Sequence, residues 1–142
     1  MNAHSNRSMP PGVIIPELAY PDVLAAAAWL CETFGFQERL RIGTHRVQLV
    51  FGGASVVAVE QPAQGAAMDS VMVRVDDVDA HCAHATQCGV RILNAPADHP
   101  YGERQYTAAD LTGRRWTFSQ SIADSDPADW GGELLVSNNR AA

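Results

Sequence analysis

The chain carries one pattern twice. Asp22-Val23 opens an Ala-rich apolar segment and returns 55 positions later as Asp77-Val78; Ala25 and Ala28 return as Ala80 and Ala83. Gly35-Phe36 is answered by Gly89-Val90 with one residue deleted. In the first copy, residues 13–20 read as a strand in which Pro16 favours an edge or a bulge. A helix follows over 23–34, with Val23, Ala26, Ala27, Leu30 and Phe34 at helical spacing, Asp22 as its cap and Gly35 as its stop. Residues 36–42, 46–51 and 55–60 read as strands, divided by Gly43-Thr44 and Gly52-Gly53. The second copy repeats the order: strand 70–75, helix 77–88, then strands 90–93, 104–108 and 115–120. Two copies of such a unit are too few and too long for a solenoid. Each helix covers one face of a small sheet, so the other face must be buried by the companion unit. The expected class is α+β, two βαβββ modules forming a cupped, mostly antiparallel sheet around a cleft.

The expected boundaries are a flexible tail over 1–12, ending in Pro10-Pro11-Gly12, modules over 13–62 and 68–122, and a C-terminal helical turn and tail over 123–142, anchored by Trp130. Residues 61–67, with Pro62 and Gly65, read as the linker. The clearest local signal is Tyr101 to Ser121, YGERQYTAADLTGRRWTFSQS, a hairpin turning at Asp110-Leu111-Thr112-Gly113. Polar and aromatic residues alternate from Arg115 to Ser119, which buries one face and places Trp116 and Phe118 under a helix.

Charge and composition exclude more than they assign. A net charge of -6 disfavours nucleic acid as a partner, because phosphates need a basic face. All ten basic residues are Arg, which rules out Schiff-base chemistry and a phosphate loop built on Lys. No apolar run approaches a membrane span, and the N-terminus lacks a hydrophobic signal region, so a cytoplasmic protein is expected. Cys31, Cys82 and Cys88 form no CxxC pair and read as buried thiols, the first two on apolar helix faces. His81, His84 and Cys88 share a stripe of the second helix at a spacing that can chelate a soft metal, although a polar surface stripe explains them as well. His99, before the final hairpin, is placed to enter the mouth of the cleft.

The repeat, with V-x-D-D-V-D-A opening the second module and Y-G-x-R…D-x-x-G-x-x-W-x-F closing it, resembles the vicinal oxygen chelate superfamily, over about Val13 to Trp130. That group contains glyoxalase I, extradiol dioxygenases and bleomycin-resistance proteins, and the chain looks most like its small bacterial members. The resemblance implies a homodimer. It also implies metal ligands at one inward position on the first and last strand of each module. Carried onto this chain, those positions are Ile15, Ala58 (Val57 if the gap moves), Ser70 and Thr117. None is His, Glu, Asp or Cys, and a divalent site needs at least three N, O⁻ or S⁻ donors. No metal and no cofactor is therefore expected.

The function that follows is a metal-free binding protein whose cleft takes a hydrophobic or cationic small molecule. Its expected lining is Ile15, Glu17, Ala58, Glu60, Ser70 and Met72, joined by Arg115, Thr117 and, depending on register, Arg104 or Tyr106. The alternative is a glyoxalase-like isomerase or lyase in which Glu17 and Glu60, two residues beyond Ile15 and Ala58, hold an atypical metal. The plainer reading of that pair is Glu17 bound to an Arg and Glu60 in solvent.

Overall fold

The computed structural model describes residues 5–61, 69–111 and 113–136. The first module contains β1 (Ile14–Tyr20), α1 (Val23–Phe34), β2 (Gln37–Ile42), β3 (Arg46–Phe51) and β4 (Ala54–Glu60). The second contains β5 (Ser70–Arg74), α2 (Val78–Gln87), β6 (Arg91–His99), β7 (Glu103–Ala109) and β8 (Arg115–Ser121). A 3-10 turn, Pro127–Trp130, and a short β9 (Gly132–Leu134) follow. Asp22 and Asp77 both cap as expected, each accepting a 3.0 Å hydrogen bond from the backbone N–H three residues on. Of the linker expected at 61–67, all but Gln61 lies outside the described residues.

The strands form one curled sheet in the order β6-β7-β8-β5-β1-β4-β3-β2-β9, parallel only where β1 meets β4 and β5 meets β8. The modules join along β1 and β5, where Ile15 lies opposite Met72 and Glu17 opposite Ser70. Pro16 is therefore central in the sheet, against expectation. It is tolerated because pairing with β4 begins only at Glu17, one residue later. Strand β6 is also longer than expected and carries His99 at its end.

Both helices pack on the outer face. Val23, Ala27 and Leu30 of α1 close on Val47, Leu49 and Ala58, and Val78 and Cys82 of α2 on Tyr106 and Ala108. The inner face is closed by Met9, Ile15, Val57 and Met72. Met9 belongs to the segment expected as a flexible tail, but residues 5–12 are held in place. They form a strap across the cup, with Ser8 and Met9 buried. Its carbonyls are held by side chains: Arg39 donates to Arg7 O at 2.8 Å, Gln48 to Ser8 O at 2.8 Å, Arg74 to Pro10 O at 2.9 Å and Ser55 to Pro11 O at 2.7 Å. Asn6 donates to Glu103 and Tyr101 O, while Arg7 pairs with Asp124 at 3.0 Å. The Arg7 backbone N–H and guanidinium hold the Asp124 carboxyl below its usual range. A proline-rich N-terminus reads as loose from composition, but these donors lie far away in sequence and capture it.

Gly102, the Gly of Y-G-E-R, is where strap and hairpin meet. It has φ 83°, and a Cβ there would sit 2.4 Å from Ala123 O and 2.9 Å from Asn6 Nδ2. Gly102→Ala should lower stability by at least about 2 kcal/mol in urea denaturation, combining left-handed strain with a backbone clash. A second outcome concerns pH. His81 on α2 hydrogen-bonds Tyr106 Oη through Nδ1 at 2.6 Å and lies 4.2 Å from the Phe118 ring. Burial lowers its pKa from the usual 6.5, and the charge of His84 acts in the same direction. The imidazole is thus neutral in the fold while the unfolded chain takes up a proton first. Stability should be full above about pH 6.5 and decline as pH falls below it toward the folded value. His81→Phe should flatten that slope in denaturation midpoints between pH 7 and 5.

Candidate functional site

The cup holds a cavity of about 470 Å³. Its apolar walls come from Met9, Pro10, Ile42, Val57, Met72 and Trp130. Trp130 is fixed by a 2.6 Å hydrogen bond from Nε1 to Ser8 Oγ, and its ring centroid lies 5.2 Å from that of Tyr101. Tyr101 in turn stacks on His99 at 5.1 Å with 12° between planes, so three aromatic rings run in a row along the rim. Burial raises the Tyr101 pKa, which keeps the phenol neutral at physiological pH. Its hydroxyl donates to Gln105 Oε1 at 3.1 Å, and Gln105 Nε2 donates to Ser119 Oγ at 2.9 Å.

The charged part of the lining is Glu17 and Arg46, paired at 2.7 Å. Glu17 also accepts a 2.6 Å hydrogen bond from Ser70 Oγ, so its carboxylate is engaged by a cation and a hydroxyl. Beneath the strap lies Arg39, 2 % exposed, without an ion pair among the described residues. Burial pulls its pKa down to about 10, with the charge of Arg74 acting the same way. One arm donates to Gln48 Oε1 at 2.6 Å and another to the strap, while Nε is buried without a partner.

The structure brings together five of the residues expected in the cleft. Glu17, Met72 and Thr117 line the cavity, Ile15 lies in its floor, and Ser70 reaches it through Glu17. Four others face away. The tight turn between β3 and β4 pairs Phe51 with Ala54 and so sets Val57 opposite Gln48, and the parallel ladder to β1 places Val57 beside Glu17 and Ala58 beside Leu18. Val57 thus takes the inward position, Ala58 packs under α1, and Glu60, opposite Tyr20, is exposed on that outer side. Arg104 and Tyr106 are likewise displaced by one residue of register. The β7–β8 hairpin pairs Ala109 with Arg115, which places Tyr106 against Phe118 and leaves Gln105 and Thr107 facing inward. Arg104 instead pairs with Asp79 and Asp98 at the surface. Arg115 is exposed at the start of β8.

Sequence reasoning did not place Met9, Ile42, Gln48, Tyr101, Gln105 or Trp130 in the cup. Gln48 had a usable signal, since it is a polar residue between Val47 and Leu49 on a strand, and such alternation marks a second face. Met9 had none.

A family model described as Glyoxalase/Bleomycin resistance protein/Dioxygenase superfamily matches residues 13–118. The chain belongs to this superfamily. Solved structures agree on the fold. A superfamily member from Vibrio splendidus 12B01 is 18% identical, with a TM-score of 0.61 over 77% of this chain and 97% of its own. A methylmalonyl-CoA epimerase variant from Streptomyces coelicolor is 19% identical, with a TM-score of 0.65 over 84% of this chain and 100% of its own. TioX from Micromonospora sp. ML1 is 35% identical over 78% of this chain and 99% of its own, a likeness of sequence, since the TM-score is 0.38. No curated protein matches.

The metal that the superfamily's chelating members hold does not suit this cup. Ile15 and Val57 offer no donor, Ser70 is bonded to Glu17, and Thr117 Oγ1 lies 3.2 Å from Thr107 Oγ1. Among the described residues no three His, Cys, Asp or Glu side chains converge, and the Glu17–Glu60 pair is divided between opposite faces of the sheet. His84 and Cys88 do meet, at 3.6 Å, but Nδ1 of His81 is engaged by Tyr106. As a test of how the rim is held, Trp130→Phe should cost about 1 kcal/mol in chemical denaturation by removing the bond to Ser8.

Proposed function

We propose that this protein binds a small molecule in the cup, without a metal and without chemistry of its own. The observation that carries the reading is the cavity of about 470 Å³ enclosed by Met9, Val57, Met72 and Trp130, with its one carboxylate already matched by Arg46. A hollow of this size, with an apolar floor and polar groups oriented around it, fits one ligand of roughly drug size. The aromatic row at the rim favours a flat, apolar ligand. A cationic group on that ligand would meet Glu17 in exchange for Arg46. The likeness to the epimerase is one of fold at 19% identity and brings no substrate with it. A homodimer and a cytoplasmic location remain part of this proposal; sedimentation at micromolar concentration reads the first.

Binding is measured by thermal shift against flat aromatic amines and their neutral counterparts. A ligand at about 100 times its Kd should add about 2.7 kcal/mol and raise Tm by several degrees. Val57→Trp, which fills the floor, should abolish that shift while the unliganded chain still melts cooperatively. Added Zn²⁺, Ni²⁺ or Mn²⁺ should leave Tm unchanged in protein purified without a His-tag. Stoichiometric metal retention, or an unaltered ligand shift in Val57→Trp, would overturn the reading.

A further inference from the structure

The cup does not end at the first cavity. A second hollow of about 420 Å³ lies toward β6, and Gln105 and Thr117 line both. Gln105 stands between them, held from one side by Tyr101 and from the other by Ser119. The two hollows differ in chemistry. The first mixes an apolar floor with polar walls and contains the charged Glu17–Arg46 pair. The second has no carboxylate or guanidinium in its lining and presents Asn94, Thr107 and Thr117 around the small Ala95 and Ala97. Its outer wall, β6, is the edge of the sheet. Two register shifts there leave Leu93, Ala95 and Pro96 without a partner residue on β7, so this wall is irregular where the hollow opens.

We infer that the ligand has two parts: a flat apolar body for the first hollow and an uncharged hydrogen-bonding arm, of amide or hydroxyl chemistry, for the second. This rests on the cup being a binding site, as proposed above. A charged arm would find no carboxylate or guanidinium among the residues of this lining, whereas an amide or hydroxyl finds donors and acceptors of its own kind in Asn94, Thr107 and Thr117. His99, at the end of the aromatic row and in the lining of the second hollow, joins the two sites along one rim.

The test uses the whole chain and three fluorescent probes: dansylamide, dansyl-glycyl-glycinamide with a neutral arm, and dansyl-glycyl-glycine with an anionic arm of equal length. Titration of dansyl emission should show the neutral arm tightening Kd by about five-fold or more over dansylamide, the worth of one net hydrogen bond. The anionic arm should add nothing. Ala97→Trp, made at an exposed strand position, should cancel the gain and leave the dansylamide Kd within about two-fold. Asn94→Ala, also exposed, should reduce the gain and serves if the larger substitution unfolds the chain. A neutral arm that adds nothing in the natural chain, a gain shared by the anionic arm, or a gain that survives both substitutions overturns the two-part ligand alone. Failure of all three probes to bind overturns the cup as an aromatic binding site, and this inference with it.

Discussion

The pairing of β1 with β5 carries the architecture. Among the described residues, four ladder pairs, Ile14↔Val73 to Glu17↔Ser70, join the two halves of the sheet, and they place Ile15 and Val57 of one against Met72 of the other. Burying side chains of this kind contributes about 1.5–3 kcal/mol each, an upper estimate. With Met9 added, the inner cluster is comparable to the roughly 5–15 kcal/mol that holds a typical domain together. A module alone would leave this inner face open to water. The cup is thus the form in which the two halves become stable, and the cleft is a by-product of that closure.

The inner face is not wholly apolar, and the strap answers that difficulty. Arg39, Gln48, Ser55 and Arg74 point donors inward, and in an empty cup those donors would face apolar surroundings. Strap carbonyls satisfy them without bringing a second charge. The compensation is incomplete at Arg39, whose pKa falls and whose Nε finds no partner. On the other side of the cup, Glu103 has no exposure and accepts from Asn6, Ser119 and Ser121, so one strap residue serves a buried carboxyl group while others serve guanidinium groups. The polar shell and the apolar floor hold the same eight residues in place.

Much of this was legible from the chain. The repeat of Asp-Val starts and Gly stops located both helices, because capping and left-handed termination are local chemistry. Phe118 was placed under a helix correctly, since alternation within one strand needs no knowledge of its neighbours. The errors came where two strands had to be aligned. Ala58 and Glu60, and Arg104 and Tyr106, were each displaced by one residue, and a displacement of one exchanges the two faces of a strand. The partner of Tyr106 depends on how the 110–114 turn closes, which residue preference does not determine. The strap was illegible for another reason: its stability lies in side chains from β2 to β5 and in the C-terminal turn, none of which is near it in sequence.

The strap also ties the order of assembly to the length of the chain. Asn6 bonds the backbone N–H of Ser125, Ser8 donates to Ser125 O, and Trp130 closes on Ser8. A chain made from its N-terminus therefore produces the strap first and its final anchors last. Until Met72 is made, Met9 has no finished floor to cover. The rim of the cup is completed only when Asn6 and Ser8 meet Ser125 and Trp130, so the cup is closed late although its first wall is made early.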